Sequence, residues 1–460
     1  MLNRSIFPVL MLLVAIAPLP LGSNREWAWS ICAAIVGVLG LLWGLSLSFN
    51  RSSSPSQPNP WIVLAFVFAC IWVVVQQAAW VPASWKHPLW GMTSTVLARD
   101  VADAISVNPH ATVSAMMRLL TYALSFMLAF HLGRERERAL AAFGWIAMAG
   151  LVYGIFGLAV YWSGYHPGWL FGDRVLPEDV RSTFVNRNHF ATWQGLSLLV
   201  AMAYYYQRLS RPPVKPYQVP MDRAAAAEEF IRRAWMPLAA LLLMSSALIL
   251  THSRGGFVAA VAGTLVLVYL LDRRGRRHRA ASRVTVIAAV GVASLAFFLT
   301  SEVLLERINH TDITTEERLA VYADVTRGIS DNPLLGFGYG TFSDSFRMYN
   351  QVGTAVHYDR AHNTWLENAF ELGLPAAVLL YAALAGLALI CLGGVSRRHR
   401  DWVFPATGVA ASVLVAMHSM VDFSLQIPAV AILYACIMGV CCAQAYSSSA
   451  GVSGFGHATR

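Results

Sequence analysis

The sequence predicts an all-α polytopic membrane protein, and three features point to that fold class. Of the 460 residues, 57% are hydrophobic and only 13% are charged, whereas an ordinary soluble domain has about 25% charged residues. Apolar runs of about 17 to 25 residues, long enough to cross the hydrocarbon core as helices, recur along the whole chain. Lys and Arg concentrate in alternate connecting segments, which is typical of cytoplasmic loops.

Twelve apolar runs predict about 12 transmembrane helices in a single integral membrane domain, residues 1–460. In chain order the runs are 6–22, 27–49, 61–81, 112–133, 139–163, 189–207, 235–252, 256–272, 283–301, 364–394, 402–420 and 428–445. The first run is short and follows Arg4, but no small-x-small cleavage site clearly follows it, so we expect it to be retained. The run at 364–394 is long enough to include an interfacial approach to the membrane.

The basic residues predict the orientation of these helices. With the N-terminus inside, 21 Lys and Arg residues fall on the inner side, 12 fall on the outer side, and Arg118 falls within a span. The acidic residues are distributed the other way, 7 inside and 18 outside. Both termini are therefore expected in the cytoplasm. The net charge of +9 follows from this topology, and it does not indicate nucleic-acid binding.

Two inner segments and the tail are predicted from their composition. Residues 51–60 are typical of a turn-rich linker. Residues 208–233 combine a Pro-rich piece with a short amphipathic helix that we expect to lie along the inner surface. The tail, 447–460, should be disordered and cytoplasmic.

The outer loop at 302–363 is the one large enough to form a small cap. A helix is expected to begin in it at Thr314 or Thr315 and to break at Asn332-Pro333. Three alternating glycines then allow a tight, irregular loop close to the membrane surface. They are weak evidence for phosphate binding, because they follow no strand and open no obvious helix. These glycines are Gly336, Gly338 and Gly340.

Arg254 lies in the stretch THSRGGFVAA, where the outer turn is so short that it must be at or just inside the membrane boundary. An arginine near hydrocarbon costs free energy, and the two adjoining glycines would let a ligand approach closely. We therefore favour an anion site here over a snorkelling side chain. Arg318 is less distinctive, because a surface salt bridge with Glu316 or Glu317 would explain it.

His362 precedes the apolar run that follows the large loop. An imidazole, with a reference pKa of about 6.5, is the natural proton acceptor near neutral pH, although an interfacial histidine with a single hydrogen bond is the simpler alternative. Asn363, Glu367 and Glu371 follow at four-residue spacing, so the entering helix is expected to carry a polar stripe into the membrane. Such a stripe normally faces a water-filled cavity or a partner, because lipid-facing carboxylates are costly.

Two further polar groups lie at the outer ends of predicted spans, where they could line a cavity or simply end a helix. They are Arg187, Asn188 and His189 before one span, and His418, Asp422 and Gln426 after another. The sequence has no HExxH, no paired CxxC and no DxD on a loop, so we expect neither a metal nor another cofactor.

Over roughly residues 181–428 the chain resembles the O-antigen ligase and polysaccharide polymerase family of bacterial inner-membrane glycosyltransferases. The resemblance rests on five motifs in order, each on the predicted outer face: FVNRNHFA, SRGG, ERLAVYADV followed by NPLLGFGYGTF, AHNTWLENAFELGLP, and HSMVDFSLQIP. It implies a GT-C-like helical bundle in which the large periplasmic loop caps an outer-leaflet cavity. It also implies transfer of a glycan from undecaprenyl diphosphate to an acceptor hydroxyl.

The resemblance implies roles for three residues. His362 matches the family's His-Asn motif and would be the general base. Arg254 matches its Ser-Arg-Gly motif, Arg318 matches the arginine that opens the large-loop helix, and both would bind the diphosphate. The residue types suit this chemistry, because two guanidinium groups could replace a divalent metal in binding phosphates. A single displacement predicts inversion at the anomeric carbon.

The sequence leaves the identity of the acceptor undetermined, because the loop at 302–363 is small for an elaborate acceptor platform. Ligation to lipid A-core, extension of an O-antigen or exopolysaccharide chain, and glycosylation of a protein are all compatible with the motifs. Membrane lipids would surround the protein, and nucleic acid would not be a partner. A polytopic solute transporter is the alternative class, since twelve spans with buried polar residues suit it equally well.

Overall fold

The computed structural model describes residues 2–49, 59–164, 179–209, 223–274, 315–350 and 358–446. Every regular element within these ranges is helical, which agrees with the predicted all-α class. The helices are α1 (Leu2–Ile16), α2 (Glu26–Phe49), α3 (Pro60–Gln76), α4 (Leu89–Leu97), α5 (Pro109–Leu132), α6 (Arg136–Ser163), α7 (Arg187–Leu209), α8 (Arg223–Ile249), α9 (Arg254–Arg274), α10 (Thr315–Asp331), α11 (Phe342–Ser345), α12 (Thr364–Leu372), α13 (Leu374–Arg397), α14 (Val403–His418) and α15 (Pro428–Ala445).

Six of these helices are long and apolar enough to cross a membrane, namely α2, α5, α6, α9, α13 and α15. Shorter apolar helices are present in α1, α3 and α14. The polytopic fold class is thereby confirmed, while the predicted number of twelve is not. The predicted span at 283–301 lies outside the described residues, as do parts of the large loop, 302–314 and 351–357, and the tail at 447–460.

Helix α15 is the central helix of the bundle, because it is buried along its whole length and packs against α5, α13 and α14. Glycines allow the closest helix crossings. A Cβ atom on Gly439 of α15 would lie 2.5 Å from the carbonyl oxygen of Phe126 in α5. A Cβ atom on Gly263 of α9 would lie 2.9 Å from the carbonyl oxygen of Ala410 in α14. Small residues at such crossings let helices gain van der Waals contact where lipid supplies no hydrophobic driving force.

The predicted run at 364–394 is two helices, α12 and α13, which are separated at Gly373. The φ of 76° and ψ of 158° at this residue end α12, and glycine adopts such angles at little cost. Pro375 then lies in the first turn of α13, where its missing amide hydrogen is not needed. The expectation of a polar stripe on the membrane-entering helix is therefore wrong, because Glu367 and Glu371 lie on the short α12.

Helix α8 also differs from expectation. The predicted amphipathic helix on the inner surface is continuous with the span that follows it, and the helix runs from Arg223 to Ile249 through Pro237. The Ala- and Glu-rich sequence before the apolar part consists of strong helix formers, so nothing in it ends the helix.

Helix α10 begins at Thr315 and ends at Asp331, before Asn332-Pro333, as the sequence predicts. The glycine loop, residues 332–341, follows it. The three alternating glycines of this loop all have positive φ, at 67°, 105° and 83°. The side-chain amide of Gln76 donates to the carbonyl oxygen of Leu335 at 2.7 Å, so the loop is fastened to the end of α3.

Several connecting segments meet at one end of the bundle. The amide of Val180 donates to the carbonyl oxygen of Leu250 at 2.9 Å, and the amide of Thr364 donates to that of Ser419 at 2.9 Å. The hydroxyl of Thr183 donates to the carbonyl oxygen of Pro18 at 2.7 Å. The loops that precede α7, α9, α12 and α15 therefore lie side by side, and every candidate residue except Arg318 lies in these loops or in a helix that adjoins them.

Candidate active site

Asp422 lies in the connection between α14 and α15 and is fully buried. Asn188 Nδ2 donates to its Oδ1 at 3.3 Å, and Ser424 Oγ donates to its Oδ2. Two imidazoles face the same carboxylate: His362 Nδ1 is 3.8 Å from Oδ1, and His189 Nε2 is 3.8 Å from Oδ2. Candidate residues from three separate motifs thus meet at one carboxylate.

The neighbours of Asp422 favour its charged form. Burial opposes ionisation, but the nearby imidazoles of His362, His189 and His418, together with the hydroxyl of Ser424, hold the pKa of Asp422 well below its usual range. The carboxylate is therefore ionised at neutral pH. An ionised carboxylate beside an imidazole can orient the ring and stabilise a proton that the ring accepts.

His362 lies in the segment that leads into α12, with its backbone in the left-handed region at a φ of 52°. Its carbonyl oxygen accepts a hydrogen bond from the hydroxyl of Tyr322 in α10 at 3.1 Å. Its ring packs edge-on against Phe423, with 5.1 Å between the ring centroids. Asn363 caps α12 through its side-chain oxygen, which accepts from an amide of the first turn at 3.1 Å. The His362 side chain is 22% exposed, so a small group can reach the ring.

A buried ion pair fixes the chain just before His362. Glu367 of α12 is fully buried, and its two carboxylate oxygens accept from Arg360 Nη1 at 3.0 Å and from the amide of Ala361 at 2.9 Å. Arg360 also donates to Gln426 Oε1 at 2.8 Å. The segment before α12 is thereby attached both to α12 and to the connection before α15.

Glu371, one turn after Glu367, attaches α12 to the end of the glycine loop. Its Oε1 accepts from the amide of Phe342 at 2.8 Å. Burial and the neighbouring carboxylate of Glu367 raise the pKa of Glu371 to about 8. Both glutamates of α12 therefore make contacts within the protein, and this explains how carboxylates are accommodated so close to a membrane helix.

Arg254 is the first residue of α9, and its side chain is exposed. Gly255 brings the start of this helix against the end of α14: a Cβ atom there would lie 2.7 Å from Val421 Cγ2 and 3.4 Å from His418 Nε2. His418 itself is buried, with Nδ1 at 2.5 Å from the hydroxyl of Thr192 in α7. Arg254 therefore emerges beside the connection that contains Asp422.

Arg318 reaches the same region from α10. It lies one helical turn before Tyr322, so the two side chains share a face of the helix, and Tyr322 contacts His362. The side-chain Nε of Arg318 is buried and has no hydrogen-bond partner. Within the described ranges, neither Arg318 nor Arg254 forms an ion pair with an acidic side chain. The side chains of Glu316 and Glu317 lie outside the part that the structure describes.

Arg187 takes part in a second buried cluster, around Asp179. Arg187 Nη1 donates to Asp179 Oδ2 at 2.9 Å, and His252 Nδ1 lies 2.9 Å from Oδ1. Burial would raise the pKa of Asp179, but the hydrogen bond with His252 and the charge of Arg187 lower it to about 2. The cluster connects the start of α7 to the turn that carries Arg254.

Sequence reasoning missed several residues that the fold brings to this site. Arg360 is two positions before His362 and Phe423 follows Asp422, so proximity along the chain could have identified both. Tyr322 lies four residues after Arg318, where helical spacing places it on the same face. For Asp179 and His252 no sequence signal exists, because their contact joins segments 73 residues apart.

Helices long enough to span a membrane and a His–Asp cluster at one end of the bundle define a polytopic membrane protein with a polar site near one membrane surface. The family model described as O-antigen ligase matches residues 239–381. An O-antigen ligase of Pseudomonas aeruginosa (strain PAO1) is 28% identical over 312 residues, which cover 67% of this chain and 64% of that protein. The chain is therefore similar to O-antigen ligases over these residues, and the match spans less than two thirds of the length of the Pseudomonas relative.

Proposed function

We propose that this protein is a membrane glycosyltransferase of the O-antigen ligase type. It transfers a glycan from undecaprenyl diphosphate to an acceptor hydroxyl at the periplasmic face of the bacterial inner membrane, with both termini in the cytoplasm. The observation that supports this most directly is the His362 imidazole, which lies partly exposed against the buried, ionised carboxylate of Asp422. The similarity to O-antigen ligases supports the reaction class.

His362 is the general base of the proposed reaction. Because its Nδ1 faces Asp422, Nε2 is the ring nitrogen available to the acceptor hydroxyl. As the acceptor oxygen bonds to the anomeric carbon, its proton passes to Nε2 and the bond from that carbon to the diphosphate oxygen breaks. Undecaprenyl diphosphate leaves with the bonding electrons, and this single displacement inverts the anomeric configuration. Asp422 stabilises the imidazolium that forms.

Arg254 and Arg318 bind the diphosphate in this proposal. Negative charge grows on the leaving oxygen, and guanidinium groups compensate for it through charge-assisted, often bidentate hydrogen bonds. Both arginines lack an acidic partner within the described ranges, so their donors are not committed to a carboxylate. The transfer therefore proceeds without a metal ion.

The lipid A-core is the acceptor that we favour, since the Pseudomonas relative is named a ligase. A growing O-antigen or exopolysaccharide chain, and a protein, are the other acceptors that the same chemistry would serve. The reaction at the anomeric carbon is identical in the three cases, so the acceptor is determined by contacts beyond His362.

The test is reconstitution of the purified protein with undecaprenyl-diphosphate oligosaccharide and each of the three acceptors, with and without a chelator. We expect product with one acceptor, unchanged by the chelator, and a rate lower by about 10²–10⁴-fold for His362→Ala. Parental transfer by folded His362→Ala would exclude this base, and a strict magnesium or manganese requirement would exclude the role given to the arginines. Flux of a solute across sealed vesicles without glycosidic product would instead identify a transporter.

A further inference from the structure

Arg118 lies inside a membrane-spanning helix, and the proposed reaction does not use its side chain. It lies nine residues after Pro109, the first residue of α5, so it is roughly 14 Å along the helix from the end that carries the candidate active site. A guanidinium group at that depth is costly in hydrocarbon, and intramembrane arginines normally face a partner or mark a binding pathway. The partner of Arg118 therefore requires an explanation.

Two polar atoms at Arg118 are buried in the described structure without a hydrogen-bond partner. The guanidinium carbon of Arg118 lies 5.7 Å from the ring centroid of Trp29 in α2. This cation–π contact compensates the positive charge only in part. The two buried atoms are the Nε of Arg118 and the hydroxyl of Tyr122, one turn further along α5. Within the described ranges, Arg118 is paired with no carboxylate.

The glycine loop adds a third donor. Gly340 packs directly on α5, where a Cβ atom would collide with that of Ala115, and it thereby holds Tyr339 against this helix. Tyr339 packs in the same apolar cluster as Met116 and Leu119, the residues of α5 on either side of Arg118. The close packing of the glycines thus places Tyr339 beside Arg118. The glycine pattern alone does not reveal this role of the loop.

We propose that Arg118, Tyr122 and Tyr339 form a binding site for the phosphate group of a lipid that enters from the bilayer. Two buried donors without a partner, with the Tyr339 hydroxyl nearby, call for a ligand that offers several acceptor oxygens, and a phosphate does so while also neutralising the guanidinium. Arg118 is itself only partly buried, and the adjacent Met117 is 39% exposed. A lipid phosphate can therefore reach Arg118 sideways from the bilayer.

This site does not depend on the proposed glycosyl transfer, because lipid binding is measured without a reaction. The full-length protein would be purified in phosphatidylcholine nanodiscs and titrated with phosphatidylglycerol or with a C55 polyprenyl phosphate, and bound lipid would be counted by native mass spectrometry. Arg118→Gln should weaken binding about tenfold, as expected for loss of a charge-assisted hydrogen bond. Tyr122→Phe should weaken it less, and it changes almost no volume.

Arg99→Gln is the matched control, since Arg99 is exposed at the end of α4 and should leave lipid binding unchanged. Tighter Arg118-dependent binding of the polyprenyl phosphate identifies a site for a lipid-linked substrate, and equal binding of the two lipids identifies a phospholipid site. Competition by inorganic phosphate shows that the phosphate group itself is recognised. Parental affinity in both Arg118→Gln and Tyr122→Phe, or an equal loss in Arg99→Gln, would overturn the proposal.

Discussion

At the scale of single residues, His362 shows how the site is preorganised. A left-handed backbone in a non-glycine residue costs on the order of 1 kcal/mol and persists where its surroundings fix it. Here the preceding amide is held by Glu367, the carbonyl oxygen by Tyr322, and the following residue by its role as the cap of α12. The ring is thereby directed at Asp422 before any substrate binds.

Asp422→Asn should slow transfer by about tenfold or more, because the amide keeps the size of the side chain but cannot stabilise an imidazolium. Initial rates in the reconstituted assay would measure the loss, with thermal unfolding as the check on folding. Ser424→Ala, which removes a hydrogen bond from the same carboxylate but leaves its charge, should have a smaller effect. Equal transfer rates for Asp422→Asn and the parent would show that Asp422 does not contribute to catalysis.

Arg254→Lys should lower the transfer rate by about 10²-fold even though the charge is retained, because an ammonium group cannot make two parallel hydrogen bonds to a phosphate. The measurement is kcat in the same assay with saturating donor. The exposed Arg327 of α10 offers the matched control, and Arg327→Lys should be neutral. A parental rate for Arg254→Lys would show that a point charge is enough.

At the scale of elements, α12 is the structure that organises the site. Its cap, Asn363, directly follows His362, and its nine residues include the carboxylate that holds Arg360 and the carboxylate that holds the end of the glycine loop. The sequence pattern predicted its polar face, since positions 363, 367 and 371 repeat every four residues. It did not predict that the helix would end at Gly373, because the apolar character continues past that residue.

Glu371→Gln should change how stability depends on pH. Burial and the neighbouring Glu367 raise the pKa of Glu371 to about 8 in the folded protein, from 4.5 for an ordinary glutamate. The folded state thus keeps a proton that the unfolded state loses, so parental stability should fall as pH rises from about 4.5 to 8. The glutamine side chain of this variant still accepts a hydrogen bond from the amide of Phe342, but it does not titrate.

The comparison is the thermal unfolding temperature of the parent and Glu371→Gln in detergent, between pH 5 and pH 8.5. The unfolding temperature of the variant should rise relative to that of the parent as pH increases. Glu367→Gln is the contrasting variant, because it removes a charge that pairs with Arg360 and should destabilise the protein at neutral pH. Parallel curves for the parent and Glu371→Gln would show that Glu371 is ionised throughout this range.

At the scale of the whole molecule, the loops of one end act as a single unit because buried charges join them. Asp179 connects Arg187 at the start of α7 with His252 in the turn before α9. The connection before α15 receives contacts from α7, α12 and the segment before α12. The relative positions of Arg254 and His362 therefore depend on residues that contact neither.

Asp179→Asn should destabilise the protein by about 1–3 kcal/mol at pH 7, because it removes the buried negative charge that Arg187 and His252 contact. The contacts of Arg187 and His252 lower the pKa of Asp179 to about 2 despite its burial, so the stabilisation is present above about pH 4 and is lost as pH falls towards 2. Denaturant unfolding at pH 7 and pH 3 would measure this. A constant difference at both pH values would contradict the assignment.

The sequence by itself determined the membrane class, the helical composition and which end of each helix carries polar residues, because hydrocarbon thickness and helix geometry set the length and spacing of apolar runs. It also indicated His362, Arg254, Arg318 and Asp422 as separate candidates. Only the tertiary structure decided which of them meet. Helical spacing fixes neighbours three or four residues apart, whereas the contact of His189 and His362 with Asp422 depends on how α7, α12 and α14 pack. The same packing, through the glycine loop on α5, decided that Tyr339 lies beside Arg118.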